Sequence, residues 1–195
     1  MATSAKPDRR QALYDAYIAV PEDQRAEIID GTLYVSPRPA PRHANATSVL
    51  GGELNGAFQR GRGGPGGWWI LDEPELQLVA QEPISPDLAG WRVERMPTLP
   101  ELAHFTLAPD WICEVLSRST ETIDRTKKLP IYAAHGVGHV WLIDPIAKSL
   151  EVHALDDQRR WRNVRIYEGD VCVRAEPFAA IELDLAGLWT TPAVR

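Results

Sequence analysis

The chain has 195 residues, 21 Lys+Arg against 27 Asp+Glu for a formal net charge of −6, and 44% hydrophobic residues. That composition excludes a disordered chain and a passive basic coat for nucleic acid, and one domain of this length can fold without a disulfide or metal staple. Cys113 and Cys172 form no CxxC pair, no run approaches the roughly 18 apolar residues that span a membrane, and the polar start from Met1 to Arg10 lacks a signal-peptide core, so a cytoplasmic protein is expected.

Leu13, Ala16, Tyr17 and Val20 recur at helical spacing and predict a first helix over about 9–19, broken by Pro21. "EIIDGTLYVS" reads as a β-hairpin, with β-prone runs over 26–30 and 32–36 meeting at Gly31. Pro37, Pro39 and Pro41 stiffen the connector into a second helix, from about Arg42 to Gln59. His43, Thr47, Leu50, Leu54 and Ala57 share one face of it, and Gly51, Gly52 and Gly56 weaken it. The glycine cluster over 61–67 is a loop. Residues 68–71 and 75–79 read as strands, followed by a short strand-like segment through Pro86, Asp87 and Leu88, and a proline-containing loop spans 95–99.

Residues 110–116, "DWICEVL", are apolar on both faces except at Asp110 and Glu114, the pattern of a central strand covered on both sides. Ser117 and Ser119 are placed to cap a third helix over about 120–135, stopped by Gly136 and kinked at Pro130. "HVWLID" is a second buried strand ended by Pro145, and 150–154 with 161–167 form a hairpin. Strands flanked by helices give an α/β or α+β single domain.

Glu114 carries the most chemical information. In an extended strand Asp110, Ile112, Glu114 and Leu116 point one way while Trp111, Cys113 and Val115 point the other. A carboxylate between Ile112 and Leu116 is costly to bury ionised unless it meets a cation. Asp87, after Pro86 in "PISPDLAGW", would make with Glu114 a negative well that raises a carboxyl pKa or captures a divalent ion. All-oxygen ligands suit Mg²⁺ or Mn²⁺ rather than zinc. Lys127 and Lys128 in "DRTKKLPIY" are either solvated helix lysines or, beside such an ion, groups that orient a water. His43, on the apolar face of its helix, reads by itself first as a core histidine with a satisfied hydrogen bond, and Glu27 in the first hairpin is open between structure and function. The chain has no phosphate loop, no GxSxG elbow and no HExxH pair. Arg9 and Arg10, Arg60 and Arg62, and the arginines over 159–165 are surface charge that could also guide an anion, and the seven tryptophans read mainly as packing.

In order, "EIIDGTLYVSP", His43 in "PRHA", "SPDLAGW", "APDWICEVLS" and "DRTKKLPIYAAHGVGHVWLIDP" resemble the bacterial Uma family of candidate restriction endonucleases, within the PD-(D/E)XK nuclease superfamily. The resemblance runs from about Tyr14 to Trp189, and the block over 109–145 is its specific part. It implies a restriction-endonuclease-like core, a mixed central sheet flanked by helices, over 14–189, with an N-terminal extension over 1–13 and a tail over 190–195. It also implies Asp87, Glu114 and the carbonyl of Val115 as ligands of Mg²⁺ or Mn²⁺. Lys128 would be the catalytic lysine, with Lys127 as the fallback, and Glu27 and His43 would stand at the rim. Where the parent motif has lysine two residues after its acid, this chain has Leu116. Asp110 is an alternative carboxylate to Asp87. The implied activity is metal-assisted hydrolysis of DNA. A homodimer is expected, since enzymes that cut both strands often pair their sites by two-fold symmetry. The alternatives are a nuclease-fold protein without turnover that binds nucleic acid or regulates, and a domain with a protein partner, its apolar strands and tryptophans forming a homodimer.

Overall fold

The computed structural model describes residues 9–189, so the first eight residues and the tail over 190–195 lie outside it. Helix α1 (Arg9–Ile18) begins inside the segment expected as an extension and packs on an antiparallel hairpin, β1 (Gln24–Ile29) and β2 (Thr32–Pro37). Asp30 and Gly31 both take positive φ, the two-residue turn whose twist matches that of paired strands. Helix α2 (Pro41–Leu54) has proline at its first position and ends in a π-helical turn over Asn55–Gln59.

The remaining elements are β3 (Trp68–Asp72), β4 (Leu76–Val79), β5 (Glu82–Ile84), β6 (Leu88–Arg92), β7 (Trp111–Val115), α3 (Glu121–Ile123), α4 (Leu129–Ala134), β8 (His139–Asp144), β9 (Ser149–Leu155), β10 (Trp161–Glu168), β11 (Cys172–Val173), β12 (Leu183–Asp184) and α5 (Ala186–Trp189). The central sheet has six strands in the order β10-β9-β8-β7-β6-β3. Only β7 and β8 run parallel; the other neighbours are antiparallel. Strand β7 is buried along its whole length, as its two apolar faces require. Trp111, Cys113 and Val115 meet one core layer with α2, Trp141 and Phe178, and Ile112 and Leu116 meet the other with Tyr132, Val140 and Leu142. None of the described helices is long and apolar enough to cross a membrane.

Three local expectations are corrected. The short segment at Asp87 opens a full strand, β6, because Leu88 to Trp91 are all buried between β3 and β7. The third helix is not continuous: α3 gives way to a π-helical turn over Asp124–Lys128 before α4 begins. Pro130 has no N–H for the ladder, and the residue just before it, Leu129, reaches back five residues to the Asp124 carbonyl, so the chain widens where a kink was expected. Ser117 and Ser119 make no side-chain cap on this helix. The Ser117 hydroxyl bonds instead to Ser119 (3.0 Å) and Thr120 (2.9 Å).

Candidate active site

The ladder between β6 and β7 pairs Gly90 with Trp111, Ala89 with Ile112 and Leu88 with Cys113. One further step of that register sets Asp87 opposite Glu114, where side chains share a face. Asp87 stands just before β6, and its carboxylate takes the place of a backbone acceptor: Oδ2 accepts the Val115 N–H at 2.7 Å. Its Oδ1 accepts from the Arg25 guanidinium at 2.8 Å, and the same arginine donates to the Ser85 carbonyl at 2.9 Å. His43, in the first turn of α2, brings Nε2 to 3.1 Å from Asp87 Oδ2, while its Nδ1 is buried without a hydrogen-bond partner. Three elements therefore hold one carboxylate at the end of a strand.

Glu114 is only 2% exposed, and the helix packed over its face explains how it is tolerated. Asp124, Lys128 and Tyr132 recur every four residues through the π-turn into α4 and all turn inward. The Tyr132 hydroxyl donates to Glu114 Oε1 at 2.5 Å. Lys128 Nζ lies 3.4 Å from Glu114 Oε1 and 3.5 Å from Oε2, a looser contact than its 2.9 Å approach to Glu27 Oε1. Asp124 Oδ1 stands 3.3 Å from the same ammonium. Glu27 is fixed by the Ser85 N–H at 2.8 Å, and Arg25 and Glu27, two residues apart on β1, share one face.

Burial pushes the Glu114 carboxyl well above the usual glutamate range; Lys128 pulls against that shift, while Asp124, Asp87 and Glu27 reinforce it. Asp124 is raised for the same first reason. Burial also acts against ionised Asp87, but the His43 hydrogen bond and charge, followed by Arg25, prevail and hold it at about 2. For Lys128 burial favours the neutral amine, yet the surrounding carboxylates overcome it and keep the ammonium charged. Two carboxyls facing each other thus titrate in opposite directions, which separates an anchored anion from a group that is costly to ionise.

Glu27, His43, Asp87, Glu114 and Lys128 all line one cleft of about 140 Å³, together with Arg25 and Asp124. Four carboxylates (Glu27, Asp87, Glu114, Asp124) against the three cations Arg25, Arg38 and Lys128 leave one formal negative charge, counting His43 neutral. Among the described residues no three His, Cys, Asp or Glu side chains converge as a ready ligand set. Asp87 and Glu114 still fit Mg²⁺ or Mn²⁺ as a half-built site, since these ions commonly take one or two carboxylates and complete their shell with water and substrate phosphate. Val115 is buried beside them, its N–H held by Asp87.

The alternatives weighed from sequence lie elsewhere. Lys127 points to the surface, with Nζ 3.4 Å from Asp30. Asp110, at the far end of β7, accepts from the Arg92 N–H and pairs with Arg95, each at 2.8 Å. Leu116 packs in the core, and the cation reaches Glu114 from the following helix instead. Arg25, Asp124 and Tyr132 join the site without having been expected there from the sequence. The four-residue spacing of Asp124, Lys128 and Tyr132 was the available signal for two of them, and the alternation of Arg25 with Glu27 for the third.

A crystal structure described as a putative nuclease belonging to DUF820 from Anabaena variabilis ATCC 29413 is similar to this chain, with a TM-score of 0.70 at 23% identity, covering 90% of this chain and 96% of that one. At that identity the likeness concerns the fold, a restriction-endonuclease-like α+β core. A comparison with curated proteins finds no match. The family model Uma2, described as "Putative restriction endonuclease", matches residues 11–186, which take in every side chain of the cleft, and the chain belongs to that family.

Proposed function

We propose that the protein is a Mg²⁺- or Mn²⁺-dependent endonuclease that hydrolyses phosphodiester bonds in DNA. One observation carries the reading: Asp87 and Glu114, opposite in register one step beyond the β6–β7 ladder, line a cleft that also holds the buried ammonium of Lys128. Family membership favours the same class. Asp87, Glu114 and the Val115 carbonyl would hold the ion. When bound, it neutralises charge on the scissile phosphate and makes water more acidic.

The protein's own groups supply the positioning. Arg25 and the Val115 N–H lock the Asp87 rotamer, and Tyr132 locks that of Glu114, so neither carboxylate has to reorganise as charge develops. Lys128, held closest to Glu27, would exchange one of its longer contacts to Glu114 or Asp124 for the attacking water, orienting it and stabilising negative charge on the phosphoryl group. His43 at the rim, with Nε2 on Asp87, would help Arg25 hold that carboxylate ionised and in place. A homodimer related by a two-fold axis would set two such clefts against opposite strands.

Supercoiled plasmid incubated with the purified protein and MgCl₂ should be nicked and linearised. Asp87→Asn and Glu114→Gln should each lower that rate by about 100-fold or more while the circular-dichroism spectrum is unchanged. Cutting at the wild-type rate by both variants overturns the assignment. A second reading, a nuclease-fold protein that binds nucleic acid without turnover, is favoured by the way Lys128 is already shared among three carboxylates. DNA retention that falls steeply with salt, without cutting under either ion, decides for it.

A further inference from the structure

Beside the acidic cleft lies a second cavity of different chemistry, about 590 Å³, in the size range of small-molecule sites. It opens between the start of α2 (Pro41, Arg42), the loop after β7 (Leu116, Arg118) and the turn after β8 (Pro145, Ile146). The two cavities share a wall, since Ala40, His43, Ser117 and Ser119 line both. Leu116 and Pro145 are buried, whereas Ile146 is 58% exposed, far more than a core isoleucine. Arg42 and Arg118 stand exposed at its edge, and their guanidiniums make no ion pair or hydrogen bond among the described residues.

We infer that this cavity receives a nucleobase of the strand whose phosphate occupies the acidic cleft. The inference rests on the nuclease reading above and adds the part of the substrate that the enzyme grips. A base offers two flat faces that suit apolar walls and guanidinium planes, and polar edges that suit serine hydroxyls. Its flanking phosphates answer Arg42 and Arg118. An apolar peptide segment would cover the same walls but leave both guanidiniums unanswered, at a desolvation cost that a nucleotide avoids. Continuity matters as much: neighbouring nucleotides of one strand span two adjoining pockets, and His43 marks the boundary between them. The base comes either from single-stranded DNA or from a duplex nucleotide turned out of its stack.

The test uses oligonucleotides, single-stranded and duplex, carrying 2-aminopurine in turn at each central position. They are titrated against the full-length protein in parallel with a cleavage assay. Wild-type protein should change the emission strongly at one position; a response in both arms means the duplex base is extruded, and a response in the single strand alone means it is not. Ile146→Trp, which fills an already exposed site, should abolish that response and weaken binding about tenfold, and Arg118→Gln should weaken binding several-fold. Cutting by wild type together with identical emission in wild type and Ile146→Trp overturns the base pocket and leaves the nuclease reading standing. Neither binding nor cutting overturns both. If Ile146→Trp instead converts a dimer to a monomer in sedimentation without altering emission, a second copy of the chain covers the cavity and the inference fails.

Discussion

Both faces of the central sheet are covered by apolar layers, but only one of them also buries a cluster of charge. On one face Phe178 sits against Phe58, Trp68, Trp111 and Trp141, with ring centroids 4.6 to 5.6 Å apart, and the layer around it is apolar. On the other, a few residues along the same strand, Glu114 is buried with Lys128, Asp124 and Tyr132. The aromatic layer stabilises by removing apolar surface from water and by ring contacts. The charged layer is costly to bury, and ion pairs offset that cost only when every member keeps its partner. The contrast is therefore between a layer that stabilises outright and a cluster whose net contribution depends on every partner being present.

Phe178→Ala should give the largest effect, since it removes the ring around which the aromatic layer closes; a loss of about 4 kcal/mol in urea unfolding is expected. A loss below about 1 kcal/mol would mean the aromatic layer is not the stabilising half. Lys128→Met comes next, at about 3 kcal/mol, because it strands Glu27, Glu114 and Asp124 without their shared cation. Glu114→Gln, which retains an oxygen for the Tyr132 hydroxyl and deletes a charge that burial penalises, should lie within about 1 kcal/mol of wild type in thermal unfolding. A fall as large as that for Lys128→Met would show that the buried carboxylate is a net stabiliser and erase the contrast.

The smallest effect is expected where the charged face reaches solvent. Arg125 forms a two-point pair with Glu151, and its hydrogen bonds hold that carboxyl below the usual glutamate range. A depressed folded-state value contributes stability above the unfolded value of about 4.3, and that contribution is lost as pH falls through the folded value. Because the pair is partly exposed, it is worth a few tenths of a kcal/mol after screening. Melting temperatures of wild type and Arg125→Ala should therefore differ slightly near pH 7 and converge in acid. A gap that widens in acid would reverse the sign.

Much of the architecture was legible in the chain because it depends on local pattern. The alternation in "EIIDGTLYVS" and the turn at Asp30–Gly31 suffice for the hairpin, and the doubly apolar "DWICEVL" suffices for a central strand. The π-turn over Asp124–Lys128 was not legible, since missing hydrogen bonds at Pro130 can be relieved by a kink or by widening, and only the sheet beneath selects between them. Arg25 was overlooked for a related reason. A lone arginine on an amphipathic strand reads as solvated until Asp87, 62 residues away, is brought to it.

What the sequence determined by itself is the inventory and its local geometry: strands where apolar residues run or alternate, breaks at proline and glycine, and five side chains, Glu27, His43, Asp87, Glu114 and Lys128, whose types suit one chemistry. The tertiary structure decided their company. Register between β6 and β7 sets Asp87 opposite Glu114, the widened helix turns Lys128 and Asp124 inward while Lys127 stays in solvent, and Arg25 and His43 arrive from two other elements to anchor Asp87. Backbone preference acts over a few residues and is written in neighbouring side chains. The cost of burying charge is settled only when distant groups close on one another, and that balance decides which carboxylate is held ionised and which is raised.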